Sequence, residues 1–474
     1  MRTFNANRTA TNMMSRRLNR QGLTLLEILV AMVMTLIVLG AMMYAFRYAS
    51  SEIAKGRAMI ELSNQLRMVQ EDLRADLEGV TVDMRPWAIT ASPNGYFEYI
   101  EGEDDDRSIY DQDKTARPMD DSVNGIIGDF DDILAMTTRA NGREFRGRRE
   151  LVPNNPQVET SQIAEVIWWT DYNDRDNDTF HDYDEPIQVY RRVLLVRPDL
   201  NAPLGHLQVV NSIDEVYDFF RINDVSARLA YDANAGNWKL YANSLEDLSK
   251  RENRFAHWAL SFPSPPTNTT TGDFPHELRT VHLQNCEQTT ANLTGLDLRY
   301  AGGDIRLSEA LSFDVRVFSP DAPIQLIDNI AVSPGDIGFI NGAPDDDKGA
   351  FVDLGYNDTS SPQFDPTEPE FSEHFNFAGP DRRMRLQHGT GYVLDTFSKH
   401  YESNGIDDDG RLGIDQGIDG IDNDGTNGVD DNNERETLPP YPFRIRGIEV
   451  RLRVVERNTQ QVRQTSVVHS FMPR

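Results

Sequence analysis

The chain has 474 residues and a formal net charge of −29, with 39% hydrophobic and 26% charged residues. A negative surplus of this size repels nucleic acid and anionic lipid, so we predict no nucleic acid contact. Cys286 is the single cysteine, which excludes an internal disulfide and any cysteine-based metal or redox motif.

The N-terminal region contains a long apolar segment. Residues 1–22 hold five arginines and no acid, and Leu23–Phe46 then reads LTLLEILVAMVMTLIVLGAMMYAF. A bilayer requires about 20 apolar residues, and basic residues favour its cytoplasmic side. We therefore predict a single-pass anchor with a cytoplasmic N-terminus and an extracytoplasmic remainder. A cleaved secretory signal peptide is the alternative, but its apolar region is only about 7–15 residues long.

Glu27 is the one charged residue within this apolar segment. A carboxylate in a membrane span is costly unless a partner compensates it, so its presence indicates a functional contact. The alternative is an acid tolerated near the membrane interface, because Glu27 lies only one turn inside the segment.

The residues Gly22-Leu23-Thr24-Leu25-Leu26-Glu27, with arginines before them and apolar chain after them, resemble the signature of type IV prepilins and type II secretion pseudopilins. The resemblance implies cleavage by prepilin peptidase between Gly22 and Leu23, and N-methylation of Leu23. It also implies that Glu27 pairs with the new N-terminal amine of a neighbouring subunit during assembly. Leu23 departs from the family pattern, which most often has Phe at this position.

After the membrane segment, apolar residues recur every three or four positions, with charged residues such as Asp72 and Asp76 between them. The apolar stripe comprises Met59, Leu62, Leu66, Val69, Leu73 and Leu77. No proline interrupts Leu23–Glu78, and Gly79 suits a helix C-terminus, so we predict one continuous helix. We expect its stripe to pack on the protein's own sheet; a coiled-coil seam is the alternative.

The rest of the chain is rich in strand patterns. Ala164–Thr170, Ile187–Arg197 and Leu311–Phe318 are dense in β-branched and aromatic residues, and alternating segments around Val450 and Val467 predict a C-terminal β-hairpin. We predict an α+β fold in which the long N-terminal helix packs on a mostly antiparallel, pilin-like β-sheet with long acidic loop insertions. The strand order resembles the large minor subunits called the J-type pseudopilin and the W-type minor pilin.

The predicted organisation has six segments. They are a leader peptide at 1–22, a transmembrane helix at 23–46, its amphipathic extension at 47–78, a β-rich domain at 79–400, an acidic insertion at 401–437 and the closing hairpin at 438–474.

The acidic insertion contains a repeat. GIDDDGRLGID at residues 405–415 recurs as GIDNDGTNGVD at 420–430, and its tight Gly-rich turns bring acids together. Such acids suit a hard cation, so we predict weak calcium binding, with the second copy the better site. The predicted ligands are Asp407, Asp409, Asp415, Asp422, Asp424 and Asp430. The alternative is a solvated acidic loop without metal.

The sequence lacks the catalytic signatures G-x-S-x-G, H-E-x-x-H, the Walker loop and G-x-G-x-x-G, so we expect a structural protein and not an enzyme. We expect a minor subunit of a type II secretion or type IV pilus system, placed at the filament tip because of its size. Its expected location is the bacterial inner membrane, with the large domain in the periplasm. Its expected partners are prepilin peptidase, other pilin-like subunits, the inner-membrane assembly platform and membrane lipid. The alternative is a single-pass, calcium-dependent binding protein or adhesin.

Overall fold

The structure is a computed structural model of the full chain. It describes residues 24–84, 94–101, 129–150, 155–171, 187–258, 262, 278–286, 304–327, 329–334, 336, 339–340, 344, 346–354, 393–396, 445–456 and 461–472. The chain forms two compact units, Met1–Ile60 and Glu61–Arg474.

The first unit is described from residue 24 and consists of the first part of a long helix, α1 (Leu25–Glu78). Its apolar side chains point outward, since residues such as Leu36, Ile37 and Met42 are more than half exposed. A helix that is apolar all round and unburied is typical of a membrane span. Within the described residues, α1 is the one helix that is long and apolar enough to cross a bilayer.

Within its described residues, the second unit contains the rest of α1, three shorter α-helices and the strands. The helices are α2 (Ile213–Ile222), α3 (Leu245–Leu248) and α4 (Thr280–Cys286). The strands are β1 (Phe97–Ile100), β2 (Ile133–Arg139), β3 (Phe145–Glu150), β4 (Pro156–Ser161), β5 (Ile163–Asp171), β6 (Ile187–Leu195), β7 (Gln208–Val210), β8 (Ala227–Asp232), β9 (Asn237–Ala242), β10 (Ile305–Ile327), β11 (Ile330–Val332), β12 (Asp347–Val352), β13 (Val393–Asp395), β14 (Gly447–Glu456) and β15 (Gln461–Ser470).

One large antiparallel sheet dominates the second unit. Its strand order is β13-β1-β2-β5-β6-β10-β14-β15, and β11 and β12 also pair with β10. The strands β7, β9 and β8 form a separate small sheet, and β3 and β4 form a hairpin. The α+β prediction is therefore confirmed: a long apolar N-terminal helix precedes a mostly antiparallel sheet.

The large sheet is covered on both faces. Val166 and Trp168 of β5 point to the face where the α1 stripe packs, and Ile167 and Trp169 point to the face covered by α2, α4 and the small sheet. This double burial explains why β5 reads as a continuous apolar run instead of alternating with polar residues. The strand patterns at β5, β6, β10 and the β14–β15 hairpin lie where the sequence predicts them.

Five of the six residues of the predicted α1 stripe are buried in the core beneath the sheet, whereas Met59 is only half-buried. Leu62, Leu66, Val69, Leu73 and Leu77 are each at most 6% exposed. Within the second unit they share one hydrophobic core with apolar side chains of β2, β5 and β14, where burial of an aliphatic side chain contributes about 1.5–3 kcal/mol. The stripe therefore packs on the protein's own sheet, as predicted.

Helix α1 ends where a second chain segment approaches it closely. The Gly79 N–H donates to the Ala75 carbonyl, and the Arg139 N–H of β2 donates to the Gly79 carbonyl at 2.7 Å. A Cβ atom at Gly79 would lie 2.3 Å from the Arg139 carbonyl oxygen. The helix ends at the predicted glycine. The structure gives a further reason for glycine at this position, because a side chain would collide with β2.

Candidate assembly segment and its anchor

The start of α1 forms a reciprocal capping contact between Thr24 and Glu27. The Thr24 N–H and hydroxyl donate to Glu27 Oε2 at 2.8 and 3.0 Å, and the Glu27 N–H donates to Thr24 Oγ1 at 3.3 Å. The spacing Thr-x-x-Glu is the capping-box spacing, which satisfies backbone N–H groups at a helix start. One carboxylate oxygen of Glu27 is thus fixed by the helix itself.

The second oxygen of Glu27, Oε1, is exposed at the start of the apolar helix, and no ion pair reaches it from the described residues. A negative charge in this position requires a compensating positive group once lipid or another apolar helix surrounds it. The capping contact therefore orients the carboxylate and leaves it able to bind a positive group.

The other predicted site residues have no structural description. Gly22 and Leu23 lie outside the described residues, as do Asp407, Asp409, Asp415, Asp422, Asp424 and Asp430. Cleavage, methylation and calcium binding at these positions therefore stay predictions.

A buried ion pair fastens the last turn of α1 to the sheet. The Arg191 guanidinium of β6 donates to both carboxylate oxygens of Asp76, at 2.8 and 2.7 Å. The Trp168 indole N–H of β5 donates to Asp76 Oδ2 at 2.9 Å. Bidentate arginine–carboxylate contacts are among the strongest and most directional polar contacts in proteins. They fix the register of α1 on the sheet.

Asp76 is 1% exposed, although the helical periodicity assigns it to the polar side of α1. Burial raises the pKa of its carboxyl group, and Arg191 opposes this shift by stabilising the charged form. The arginine is correspondingly held more firmly in its charged state, because Asp76 raises its pKa. Asp76 thus depends on Arg191 to stay ionised, and the sequence gives no signal for this pairing.

A second buried network lies on the opposite face of the sheet. Arg254 Nη1 contacts Glu98 of β1 at 3.1 Å and Asp395 of β13 at 2.8 Å, and His257 Nε2 contacts Glu98 at 2.9 Å. Burial favours protonation of Glu98, but His257 and the arginines outweigh it and hold its pKa well below the ordinary value. The network ties the 251–258 segment to the edge of the large sheet.

Residues 17–43 match the family model of the prokaryotic N-terminal methylation motif. The matched range includes the predicted cleavage position and Glu27. No curated protein matches the chain, and no solved structure matches it.

The motif and the apolar helix both point to one class of protein. It carries a prepilin-type N-terminal methylation motif, consistent with a type IV pilin-like or pseudopilin-like protein. The motif implies processing by prepilin peptidase and assembly with other pilin subunits. The motif and the single apolar helix fit a single-pass, membrane-anchored pilin.

Proposed function

We propose that this protein is a minor pseudopilin or pilin subunit of a bacterial type II secretion or type IV pilus system. The observation that supports this most directly is the continuity of α1. The matched motif leads into an exposed apolar helix, and the same helix continues into the core of a large folded domain. Such a helix supplies an anchor before assembly and a lateral contact surface after it.

Processing is the first step of this proposal. Prepilin peptidase cuts between Gly22 and Leu23, and the new amine at Leu23 is methylated. Mass analysis of the N-terminus of membrane-extracted protein tests this step. We expect a chain that starts at Leu23 and carries one extra methyl group. A retained Met1, or a start after Phe46, would instead favour an anchored or secreted calcium-dependent binding protein or adhesin.

Assembly is the second step, and it depends on Glu27. The carboxylate that Thr24 orients pairs with the Leu23 amine of a neighbouring subunit, and this pair sets the register between helices. A buried ion pair is better suited to setting register than to adding stability.

Two matched variants separate pairing from helix capping. Glu27→Ala removes both the charge and the cap, whereas Thr24→Ala removes the cap, worth about 1 kcal/mol, and keeps the charge. We expect both variants to be cleaved, but only Thr24→Ala to enter filaments at a level near that of the native chain. Normal incorporation of Glu27→Ala would refute the pairing role.

We also propose a position at the filament tip, in the periplasm, with a structural and non-catalytic role. A second compact unit that extends from Glu61 to Arg474 would be hard to repeat along a closely packed filament. Immunogold labelling of filaments tests this, with label expected at one end. Label along the whole filament would contradict a tip position.

Calcium binding by the acidic repeat is a separate proposal. The second copy, with Asp422, Asp424 and Asp430, offers more oxygen ligands than the first, whose corresponding turn carries Arg411. We expect calcium to slow proteolysis between residues 401 and 437, and replacement of these three aspartates by asparagine to abolish the effect. Equal proteolysis with and without calcium would contradict it.

A further inference from the structure

One edge of β10 has a gap between two neighbouring strands. Ala310 pairs with both β6 and β14, and Val317 pairs with both β12 and β14. A strand has two edges, so β6 and β12 share the edge opposite β14 and leave the stretch between these residues without a strand partner. The chain that fills this gap comes from the ends of β1 and β2.

The gap is filled by backbone and acidic side chains. The Phe313 N–H donates to the Asp129 carbonyl at 3.0 Å, and the Val315 N–H donates to Asp132 Oδ2 at 2.6 Å. The Tyr99 hydroxyl contacts the Val315 carbonyl and Glu101 Oε2. These contacts satisfy the open edge of β10, and they place three carboxylates beside it.

Two of these carboxylates have one fixed oxygen and one oxygen without a partner. Glu101 is 2% exposed and Asp132 is 0% exposed. The Leu354 N–H holds Glu101 Oε2 at 2.8 Å, and the Val315 N–H holds Asp132 Oδ2. Glu101 Oε1 and Asp132 Oδ1 are buried and receive no hydrogen bond in the described part of the chain. A buried charged oxygen left in this state costs several kcal/mol.

The carboxylates also converge. One oxygen from each of Glu101, Asp129 and Asp132 lies within 4.8 Å of an oxygen from each of the other two. Three carboxyl groups are therefore brought together in a site removed from water.

The arginine beside the cluster is already occupied by other acids. Arg316 Nε lies 3.0 Å from Asp314 and 3.0 Å from Asp353, and its Nη1 lies 3.0 Å from Asp336. Among the described residues, no ion pair joins Glu101 or Asp132 to a basic side chain. Glu101 and Asp132 therefore have no basic partner within the described residues, and a bound cation would offset their charge.

We propose that Glu101, Asp129 and Asp132 bind one Ca²⁺ ion, in a site distinct from the acidic repeat. Calcium takes oxygen ligands at about 2.3–2.6 Å, so oxygens on opposite sides of the ion lie about 5 Å apart, which suits the observed spacing. The hydrogen bonds to the second oxygens orient the carboxylates as outer contacts orient ligands in metal sites. The site goes beyond the proposed assembly role and does not depend on it.

Such an ion would join parts of the chain that are distant in sequence. Asp132 and Val315 are 183 residues apart, and Glu101 and Leu354 are 253 residues apart. Binding to the folded state alone stabilises it, because the unfolded chain does not bring these ligands together. Calcium would therefore raise the melting temperature of the domain by fastening the ends of β1 and β2 to β10.

The test uses the full chain in detergent, with the six repeat aspartates replaced by asparagine so that the repeat does not contribute. Bound calcium is measured by equilibrium dialysis, and the melting temperature is followed by tryptophan fluorescence. We expect one Ca²⁺ per chain and a higher melting temperature. We expect Glu101→Gln with Asp132→Asn to weaken binding at least about tenfold and to abolish the rise. A repeat-substituted chain that binds no calcium at 1 mM would overturn the proposal.

Two controls separate binding from folding. In chelator, the double variant should melt at or above the temperature of the parent chain, because it lacks the repulsion between carboxylates; a lower melting temperature would overturn the proposal. Glu165→Gln changes another buried acid whose oxygens are held by Tyr96, Ser226 and Phe255, and it should retain calcium binding. Equal stabilisation by Mg²⁺ at the same concentration would overturn the assignment to calcium.

Discussion

The buried ion pair between Asp76 and Arg191 predicts how much stability is lost when either partner is replaced. In Arg191→Met, the Asp76 carboxylate stays in the core and, among the described residues, keeps the Trp168 indole as its one side-chain hydrogen-bond donor. Removing one partner of a buried ion pair costs about 3–5 kcal/mol. Asp76→Asn should cost less, because the remaining Arg191 side chain is 11% exposed and reaches water more easily than Asp76 at 1%.

The cost of Arg191→Met should also depend on pH. Burial already raises the pKa of Asp76, and loss of the arginine raises it further. A carboxyl group with a raised folded-state pKa destabilises the fold once it ionises. This cost grows as pH rises from the unfolded-state pKa to the folded-state pKa, and it is constant above the folded-state pKa. Arg191→Met should therefore lose more stability at pH 7.5 than at pH 5, where Asp76 can take up a proton.

Urea unfolding of the full chain in detergent, followed by circular dichroism, measures these differences. Lys55→Met is the matched control, because its exposed pair with Glu52 contributes less than about 1 kcal/mol. In Asp76→Leu combined with Arg191→Met, both charges are gone, so the loss should be smaller than the sum of the single losses. The reasoning fails if Arg191→Met is no more costly than Lys55→Met, or if its cost is greater at pH 5.

Two further predictions concern a glycine and a histidine. Gly79→Ala places a Cβ atom 2.3 Å from the Arg139 carbonyl oxygen, so we expect a loss of about 1–3 kcal/mol in urea unfolding. Gly56→Ala, whose Cβ meets nothing within 4 Å, should not reduce stability. Burial lowers the pKa of His282 to about 4, so the folded state resists protonation of this side chain. The neutral His282 side chain therefore contributes fully to the free energy of unfolding above about pH 6.5. This contribution, up to about 3 kcal/mol, is lost as the pH falls toward 4.

The variant His282→Asn measures this contribution. When the pH is lowered from 7.5 to 4, its free energy of unfolding should fall less than that of the native chain. His206→Asn, at a less buried position, should retain the native pH dependence. If His282→Asn keeps the native pH dependence, the pH effect does not come from His282. If Gly79→Ala is as stable as the native chain, the close contact between Gly79 and β2 does not require glycine.

The periodic features of the chain predict most of its architecture. The interval of three and four residues from Leu62 to Leu77 predicts the buried side of α1, because a helix returns to the same face at that spacing. The β-branched and aromatic residues of Ala164–Thr170 predict the strand β5. In each case the pattern is local, so a short stretch of sequence contains the whole signal.

The polar sites lack such a local signal. Asp76 falls on the polar side of the helical pattern, and its partner Arg191 is 115 residues away. Glu101 and Asp132 are surrounded in sequence by other acids and look like parts of solvated loops. The gap along β10 brings these two residues together. That gap results from strand pairing between distant parts of the chain, and the composition around Glu101 or Asp132 does not reveal such pairing. The short helices α2 and α4 were likewise not predicted.

The contact between α1 and the sheet also has a mechanical consequence. In a chain held by its N-terminal helix, any tension on the second unit enters through Glu61–Glu78. The contacts of Leu62, Leu66, Val69, Leu73 and Leu77 are distributed along the helix axis, so tension along the helix loads them in shear and they resist together. Asp76, in the last turn, prevents the helix from sliding by one turn into another register. The end of α1 and the sheet should therefore stay together under tension along the helix.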